Sequence, residues 1–397
     1  MMLGERQNVR RIYLDNAATS WPKPEAVYAA SDTYLRQCGA PAGRSAYRDA
    51  VDVERSVDDV RRRIAGLLGC DDARRIIFAL NGTDALNLAI HGLLSPGDHV
   101  VTTDAEHNSV LRPLRFLEDT AGVTVTRVGC DAAGSVAPQD VYAALRTNTK
   151  LVAVTHASNV TGTLQPIAEI AGMLEGHEAL FLVDAAQTVG HLPVDVRRLQ
   201  ADLLAAPGHK GLLGPLGTGV LYVGPRADGR LHSVRQGGTG TQSEQDRQPD
   251  TLPQQFEAGN LNVPGILALG AGVNFILRSG LDAIRQHELS LLQKLADACE
   301  AIDNVTVYGP ADISQRVGLL SVTVAGQDSQ QIAAALDSGY CIQVRAGLHC
   351  APRMHQRLGT DQMGGTVRFS VGPFNEPEEM DVVITALQQL ASAGLSV

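Results

Sequence analysis

Lys210 has the most chemically suggestive setting in the chain. It lies in the stretch 205–219, A-A-P-G-H-K-G-L-L-G-P-L-G-T-G, among glycines, prolines and leucines. Lysine is scarce and the basic residues are nearly all arginine. The others are Lys23, between two prolines, Lys150, a loop charge ahead of an apolar run, and Lys294, in an amphipathic helical pattern. Desolvation in an apolar turn disfavours the ammonium and frees the amine, and a free lysine amine forms Schiff bases. A lysine in a surface turn reads the same way, so a second residue is needed to separate the two.

Asp184 is that residue. It closes the apolar run of L-F-L-V-D-A-A-Q at 180–187, the pattern of a buried parallel strand with an acid at its carboxyl end. Residues 202–206 form a second such run and deliver the Lys210 turn to the same edge. Ligands of open α/β sheets bind outside those ends, so acid and amine are expected in one crevice. Pyridoxal phosphate uses that pair: a lysine that forms an imine, and a carboxylate that keeps the pyridine nitrogen protonated as an electron sink.

Other candidates carry bland readings as well. In Asn81-Gly82-Thr83-Asp84 a strand passes through a turn into a helix, which makes a ready anion site or a plain N-cap. His107, at another helix start, caps the helix or offers a flat ring to an aromatic cofactor. Asp15 and Asn16 shape an Asx turn, and Asn159 follows a strand end at the same crevice. Cys350, in R-A-G-L-H-C-A-P at 345–352, stands beside His349 and near Arg345 in a glycine-containing loop, expected to be mobile. Positive neighbours lower a thiol pKa. Arg368 interrupts an apolar strand and needs a partner, either an internal carboxylate or a substrate carboxylate gripped by its fork. The cluster 61–63 is read as solvated arginines.

The elements that must position these residues alternate. Strands are expected at 74–80, 99–103, 123–128, 151–155, 180–184, 202–206 and 219–223, with helices at 52–68, 85–92, from about 106, 139–145 and 167–174. Such alternation means a mainly parallel sheet flanked by helices. Pro22 and Pro24 are read as stiffening an extended segment. The polar loop 235–245 is read as functional or interfacial. A large domain is expected over 12–265 and a smaller α+β domain over 266–397, with residues 1–25 packing nearby.

The 397 residues suffice for a sizeable core. A net charge of −10 argues against general nucleic-acid binding or attraction to an anionic membrane. The six cysteines are scattered with no C-x-x-C pair, which points to neither a metal site nor a disulfide framework. No signal-like or membrane-spanning run is seen, so a cytoplasmic protein is expected.

The chain resembles the cysteine desulfurases of the class V aminotransferase family, in the group whose cysteine motif is R-x-G-x-H-C-A. The resemblance rests on an ordered set: Y-L-D-N-A-A-T at 13–19, N-G-T-D-A at 81–85, E-H-N-S at 106–109, S-N-V-T-G at 158–162, V-D-A-A-Q at 183–187, G-H-K at 208–210, G-G-T-G-T at 237–241, the Cys350 motif, and V-R-F-S-V-G at 367–372. It implies fold type I and pyridoxal phosphate held by Lys210, with Asp184 on the pyridine nitrogen and His107 stacked on the ring. Gln187 and Asn159 would contact the ring hydroxyl side or the substrate, and Gly82, Thr83 and His209 would serve the phosphate. Arg368 would clamp the substrate carboxylate with Asn16 nearby, and Cys350 would take the sulfur. Thr241, or Ser243, would reach the partner subunit's phosphate in a homodimer. The implied reaction converts L-cysteine to L-alanine and passes sulfur to an acceptor protein. The alternatives are selenocysteine lyase, another C–S lyase, or a class V transaminase or epimerase, none of which needs a protein thiol. Many relatives carry a serine or threonine hydroxyl two residues before the G-H-K histidine; Pro207 stands there, so one phosphate contact is lost or replaced.

Overall fold

The computed structural model of the protein describes residues 11–43 and 45–393. Strand β1 (Ile12–Tyr13) precedes helices α1 (Glu25–Gln37) and α2 (Arg48–Leu67). An alternation follows: β2 (Ile76–Ala79), α3 (Gly82–Leu93), β3 (His99–Thr103), α4 (Asn108–Ala121), β4 (Thr124–Val128), α5 (Pro138–Ala143), β5 (Thr149–Thr155), α6 (Ile167–Met173), β6 (Leu180–Asp184), β7 (Leu203–Pro207) and β8 (Gly219–Val223). The second part runs α7 (Val263–Ser279), α8 (Leu281–Glu300), β9 (Val305–Tyr308), β10 (Leu319–Val324), α9 (Ser329–Tyr340), β11 (Ile342–Gln343), β12 (Arg345–Gly347), α10 (Pro352–Leu358), β13 (Thr366–Ser370) and α11 (Pro377–Ala393).

The seven-stranded sheet has the order β2-β8-β7-β6-β5-β3-β4, and only β8 runs against its neighbours. Its strands are apolar throughout because both faces are covered. Along β6, Leu180 and Leu182 enter one core while Phe181 and Val183 enter the other; β7 divides Leu203 and Ala205 from Leu204 and Ala206 in the same way. The chain leaves β3 for β4 on one side, and from β5 goes to β6 and β7 on the other. That reversal opens a crevice at the carboxyl ends of β3, β5 and β6.

The smaller sheet is antiparallel, β12-β13-β10-β9. Alternation along β13 sends Val367 and Phe369 into a core shared with α8, α9 and α11, and puts Arg368 on the opposite face, toward the crevice. Helix α7 packs its apolar side chains into the large core, and the turn at Gly280 sends most of the buried apolar side chains of α8 into the small one. The N-terminal strand β1 pairs in parallel with β11, and Leu14 is buried in the small core. No single helix among the described residues is long and apolar enough to cross a membrane.

Pro24 keeps an extended backbone and is the N-cap of α1, where its missing N–H costs nothing. Three expectations need correction. Lys150 is a residue of β5 rather than a loop charge. The start of the Cys350 motif is a strand, β12, paired with β13. Arg61 is buried rather than solvated. Its guanidinium pairs with Glu257 through both Nη atoms at 2.7 and 2.9 Å and donates to the Ile76 carbonyl, while Glu257 also accepts the Phe78 N–H at 2.7 Å.

Candidate active site

The crevice holds a cavity of about 460 Å³ whose lining includes Gly82, Thr83, His107, Asn159, Asp184, Gln187, His209, Lys210, Arg345 and Arg368. Lys210 is carried there by a turn that only small residues fit. A Cβ on Gly208 would lie 2.2 Å from Thr218 Oγ1, and one on Gly211 would lie 2.3 Å from the Val189 carbonyl oxygen. From the other side, the His209 carbonyl accepts from the Ser20 N–H at 3.0 Å and Lys23 Nζ at 2.9 Å, and the Lys210 carbonyl accepts from Ser20 Oγ at 2.9 Å. The backbone is therefore fixed while the amine stays free of hydrogen bonds. Burial first, then Arg368 and Arg345, push the Lys210 ammonium down to about 8, against the opposing pull of Asp184 and Asp15.

Asp184 ends β6, with its Oδ1 accepting the Ala186 N–H at 3.0 Å. Burial raises its pKa, countered by that N–H and by Lys210. It is a carboxylate short of positive charge. Above it, His107 caps α4: its Nδ1 accepts the Ser109 N–H at 3.0 Å, so the neutral ring carries its proton on Nε2. Burial, with Lys210, Arg345 and Arg368, holds His107 near 4 and keeps the ring uncharged.

At the opposite end lies an anion cradle. Gly82 and Thr83 open α3, and their backbone N–H groups have no acceptor among the described residues. Thr83 Oγ1 meets Ser109 Oγ at 2.7 Å, and His209 offers a buried Nδ1 without a partner. Pro207 packs on Gly82 and brings no hydroxyl. Ser109, which the sequence reading did not single out, supplies one on that side. The set suits a flat ring bearing a basic nitrogen, an aldehyde facing Lys210, and a phosphate at the start of α3.

Arg368 is fully buried, with Nη1 donating to the Asn159 carbonyl at 3.0 Å and Nη2 to Asp15 at 2.9 Å. Opposite it across the β12–β13 ladder stands Arg345, whose Nη2 lies 3.3 Å from Cys350 Sγ. The cysteine loop is docked rather than mobile. Asn108 N–H donates to the Cys350 carbonyl at 2.7 Å and Asn159 Nδ2 to the His349 carbonyl at 2.6 Å. His349 is not a positive neighbour of the thiol: its Nε2 donates to the Thr366 carbonyl at 3.1 Å, and burial keeps the ring neutral.

The comparisons with known proteins agree on one assignment. The aminotransferase class-V family model matches residues 12–383. The chain belongs to the class-V aminotransferase family. Among relatives of this family it is 37% identical to a probable cysteine desulfurase of Methanothermobacter thermautotrophicus, over 96% of this chain and 95% of that one. Its fold matches the apo structure of a cysteine desulfurase from Thermococcus onnurineus, with a TM-score of 0.90 and 33% identity over 96% and 95% of the two chains. It also matches an Escherichia coli cysteine desulfurase in an S-sulfonic acid form, with a TM-score of 0.85 and 26% identity over 96% and 95%. The parallel sheet with a smaller α+β unit is therefore the fold type I arrangement of this family.

Cys350 is not itself part of the cavity lining and meets it through Arg345. Asn16 is absent from the cavity lining. Its Nδ2 donates to the Ser370 carbonyl at 3.0 Å and to Asn375 at 3.3 Å, and its Oδ1 accepts the Trp21 N–H at 3.2 Å, so it ties the N-terminal segment to the small domain. Thr241 and Ser243 are exposed on the loop after β8, with Thr241 hydrogen-bonded to Thr239 at 3.1 Å. Lys23, set aside in the sequence as a lysine between two prolines, lies against the Lys210 turn. Burial lowers its pKa to about 8, like that of Lys210, but its amine is held by Ser20 Oγ at 2.6 Å and the His209 carbonyl. Among the described residues no group of three or more histidines, cysteines or acids could hold a metal.

Proposed function

We propose that the chain is a pyridoxal phosphate-dependent cysteine desulfurase that moves the sulfur of L-cysteine onto Cys350. The observation that carries this reading is the shared cavity of Lys210, Asp184 and Arg368, with Arg345 reaching from its wall to the Cys350 sulfur. When bound, pyridoxal phosphate would supply an electron sink that reaches the amino acid's Cα through its amino nitrogen.

Lys210 would anchor the cofactor and would be the base for the Cα proton. Its depressed pKa leaves a usable share of free amine near neutral pH. Asp184 receives the ring nitrogen and keeps it protonated, gaining the positive partner that burial makes it need. His107 covers the ring with an uncharged face and excludes water. Thr83, Ser109, His209 and the first N–H groups of α3 hold the phosphate, and Gln187 and Asn159 border the ring and the substrate. Arg368 turns its remaining N–H donors toward the substrate carboxylate. Cys350 attacks the substrate sulfur: a new S–S bond forms as the Cβ–S bond breaks, and the electron pair of that bond stays on the carbon side. Protonation at carbon gives L-alanine, and Cys350 is left as a persulfide for an acceptor protein.

The protein works as a homodimer in the cytoplasm, with the exposed Thr241–Ser243 loop serving the partner subunit's phosphate site. Incubation of the loaded protein with L-cysteine tests the reading. Alanine should form, with one added sulfur on the Cys350 peptide by mass spectrometry. Alanine formation at the parental rate by Cys350→Ala would instead describe a lyase that releases sulfide.

A further inference from the structure

The segment that leads from β3 into α4 holds the cysteine arm at more points than the thiol needs for folding alone. Asp104 directly follows β3 and its side chain is 6% exposed. Its Oδ1 accepts from Arg353 Nη1 at 3.0 Å and its Oδ2 from Arg357 Nε at 2.7 Å. Both arginines project from successive turns of α10, which starts two residues after Cys350. Beneath this pair, Ala105 and Val160 of the large domain pack with Ala351 and Met354 of the cysteine arm. Gly129 makes room for Arg357, since a Cβ there would lie 2.5 Å from its Nη2.

The turn so clamped is strained. His349 and Cys350 have φ of 47° and 59°, a left-handed conformation that non-glycine residues keep only where the surroundings impose it. Its carbonyls are held by Asn159 and Asn108, and its downstream helix is held by Asp104 alone among the described acids.

We infer that Asp104 is a positioning residue that, through Arg353 and Arg357, fixes where the Cys350 sulfur stands beside Arg345 at the cavity wall. The inference rests on Cys350 being the sulfur acceptor. With the pair released, α10 loses its hold, the left-handed turn relaxes, and the sulfur leaves attack range of the substrate.

The test uses the cofactor-loaded full chain with Asp104→Asn, which keeps the volume and one acceptor oxygen. Three rates are compared: alkylation of Cys350 by iodoacetamide, arrival of sulfur on Cys350 in a single turnover, and exchange of the Cα proton of L-alanine in D2O, which reports Lys210 and Asp184 without the thiol. Alkylation should rise about tenfold. Sulfur arrival should fall about tenfold to a hundredfold, the scale of an ångström-level misplacement. Exchange should stay within twofold. The double variant Arg353→Gln, Arg357→Gln changes half-exposed side chains and carries the test if Asp104→Asn does not fold; Lys at both positions should restore most of the sulfur-arrival rate. A folded variant with alkylation and sulfur arrival both within twofold of the parent overturns the inference, as does an equal loss of exchange, which marks a structural role. Should Cys350→Ala make alanine at the parental rate, the functional reading fails, and the alkylation rate still judges the clamp by itself.

Discussion

Arg368 and Asp15 form a pair at the rim of the cavity, with Nη2 donating to Oδ1 at 2.9 Å and side-chain exposures of 1% and 23%. The internal partner and the substrate partner weighed for this arginine therefore do not compete. Asp15 and the Asn159 carbonyl take one donor on each Nη atom, and Nε has no partner. The remaining N–H donors are left for the proposed substrate carboxylate. Arg368→Lys keeps the charge and loses the fork. The KM for L-cysteine is expected to rise at least tenfold with the cofactor absorbance intact. Unfolding of the variant with cysteine affinity unaltered would leave Arg368 a structural partner of Asp15 only.

Lys210 and Lys23 both titrate near 8, so pH alone does not tell them apart. Capture of pyridoxal phosphate by the apoprotein should accelerate as pH rises through about 8, because the free amine is the reactant. Borohydride reduction and peptide mapping should then place the pyridoxyl group on Lys210, since the Lys23 amine is engaged by Ser20 and the His209 carbonyl. The sign for stability follows from the same depression. Between about 8 and the ordinary lysine value of 10.5 the unfolded chain binds more protons than the folded one at this site, so its contribution to apoprotein stability rises with pH in that window and is least below it. Lys210→Met should lessen that slope in the melting-temperature profile and leave the share due to Lys23.

Asp184→Ala should fold, because the Asp184 side chain accepts one backbone N–H and otherwise faces the cavity. Loss of a preorganised charge of this kind costs about 10²–10³ in rate. The measurement is Cα-proton exchange of L-alanine in D2O, and an unchanged exchange rate would remove Asp184 from the site.

Strand ends were the legible part of this site. An apolar run that stops at Asp184 and another that runs into G-H-K carry their own boundaries, because strands buried on both faces must be apolar and must end in polar turns. What escaped the sequence lies in contacts between distant residues. Arg61 in R-R-R looks solvated until Glu257, 196 residues on, is brought against it. Ser109 reads as one more helix-start serine until α4 is placed beside α3. Asn16 sits in a motif matched to the family, yet its amide is used in joining the N-terminal segment to β13. The mobility expected of the Cys350 loop came from Gly347, whereas the residues that dock it, Asp104, Asn108 and Asn159, follow strands of the other domain.

The Arg61–Glu257 pair offers a stability test. Both side chains are nearly fully buried, at 5% and 6% exposure. Glu257→Ala strands a guanidinium and the Phe78 N–H, and removing one partner of a buried pair costs about 3–5 kcal/mol. The urea midpoint should fall accordingly, and a shift of less than about 1 kcal/mol would mean that water reaches Arg61.

The N-terminal segment has a consequence in time. Asn16 donates to the Ser370 carbonyl across a separation of 354 residues, and Ser20 and Lys23 reach back to the turn that carries Lys210. During synthesis these first residues leave the ribosome long before anything they bind. At roughly 5–20 residues per second the wait for β13 is on the order of 20–70 s. The strap therefore spends most of translation without its partners. The pocket is completed only when the last strand of the small domain arrives, so a ribosome-bound chain stalled ahead of residue 366 would hold Lys210 and Asp184 but neither Arg368 nor the Asn16–Ser370 link.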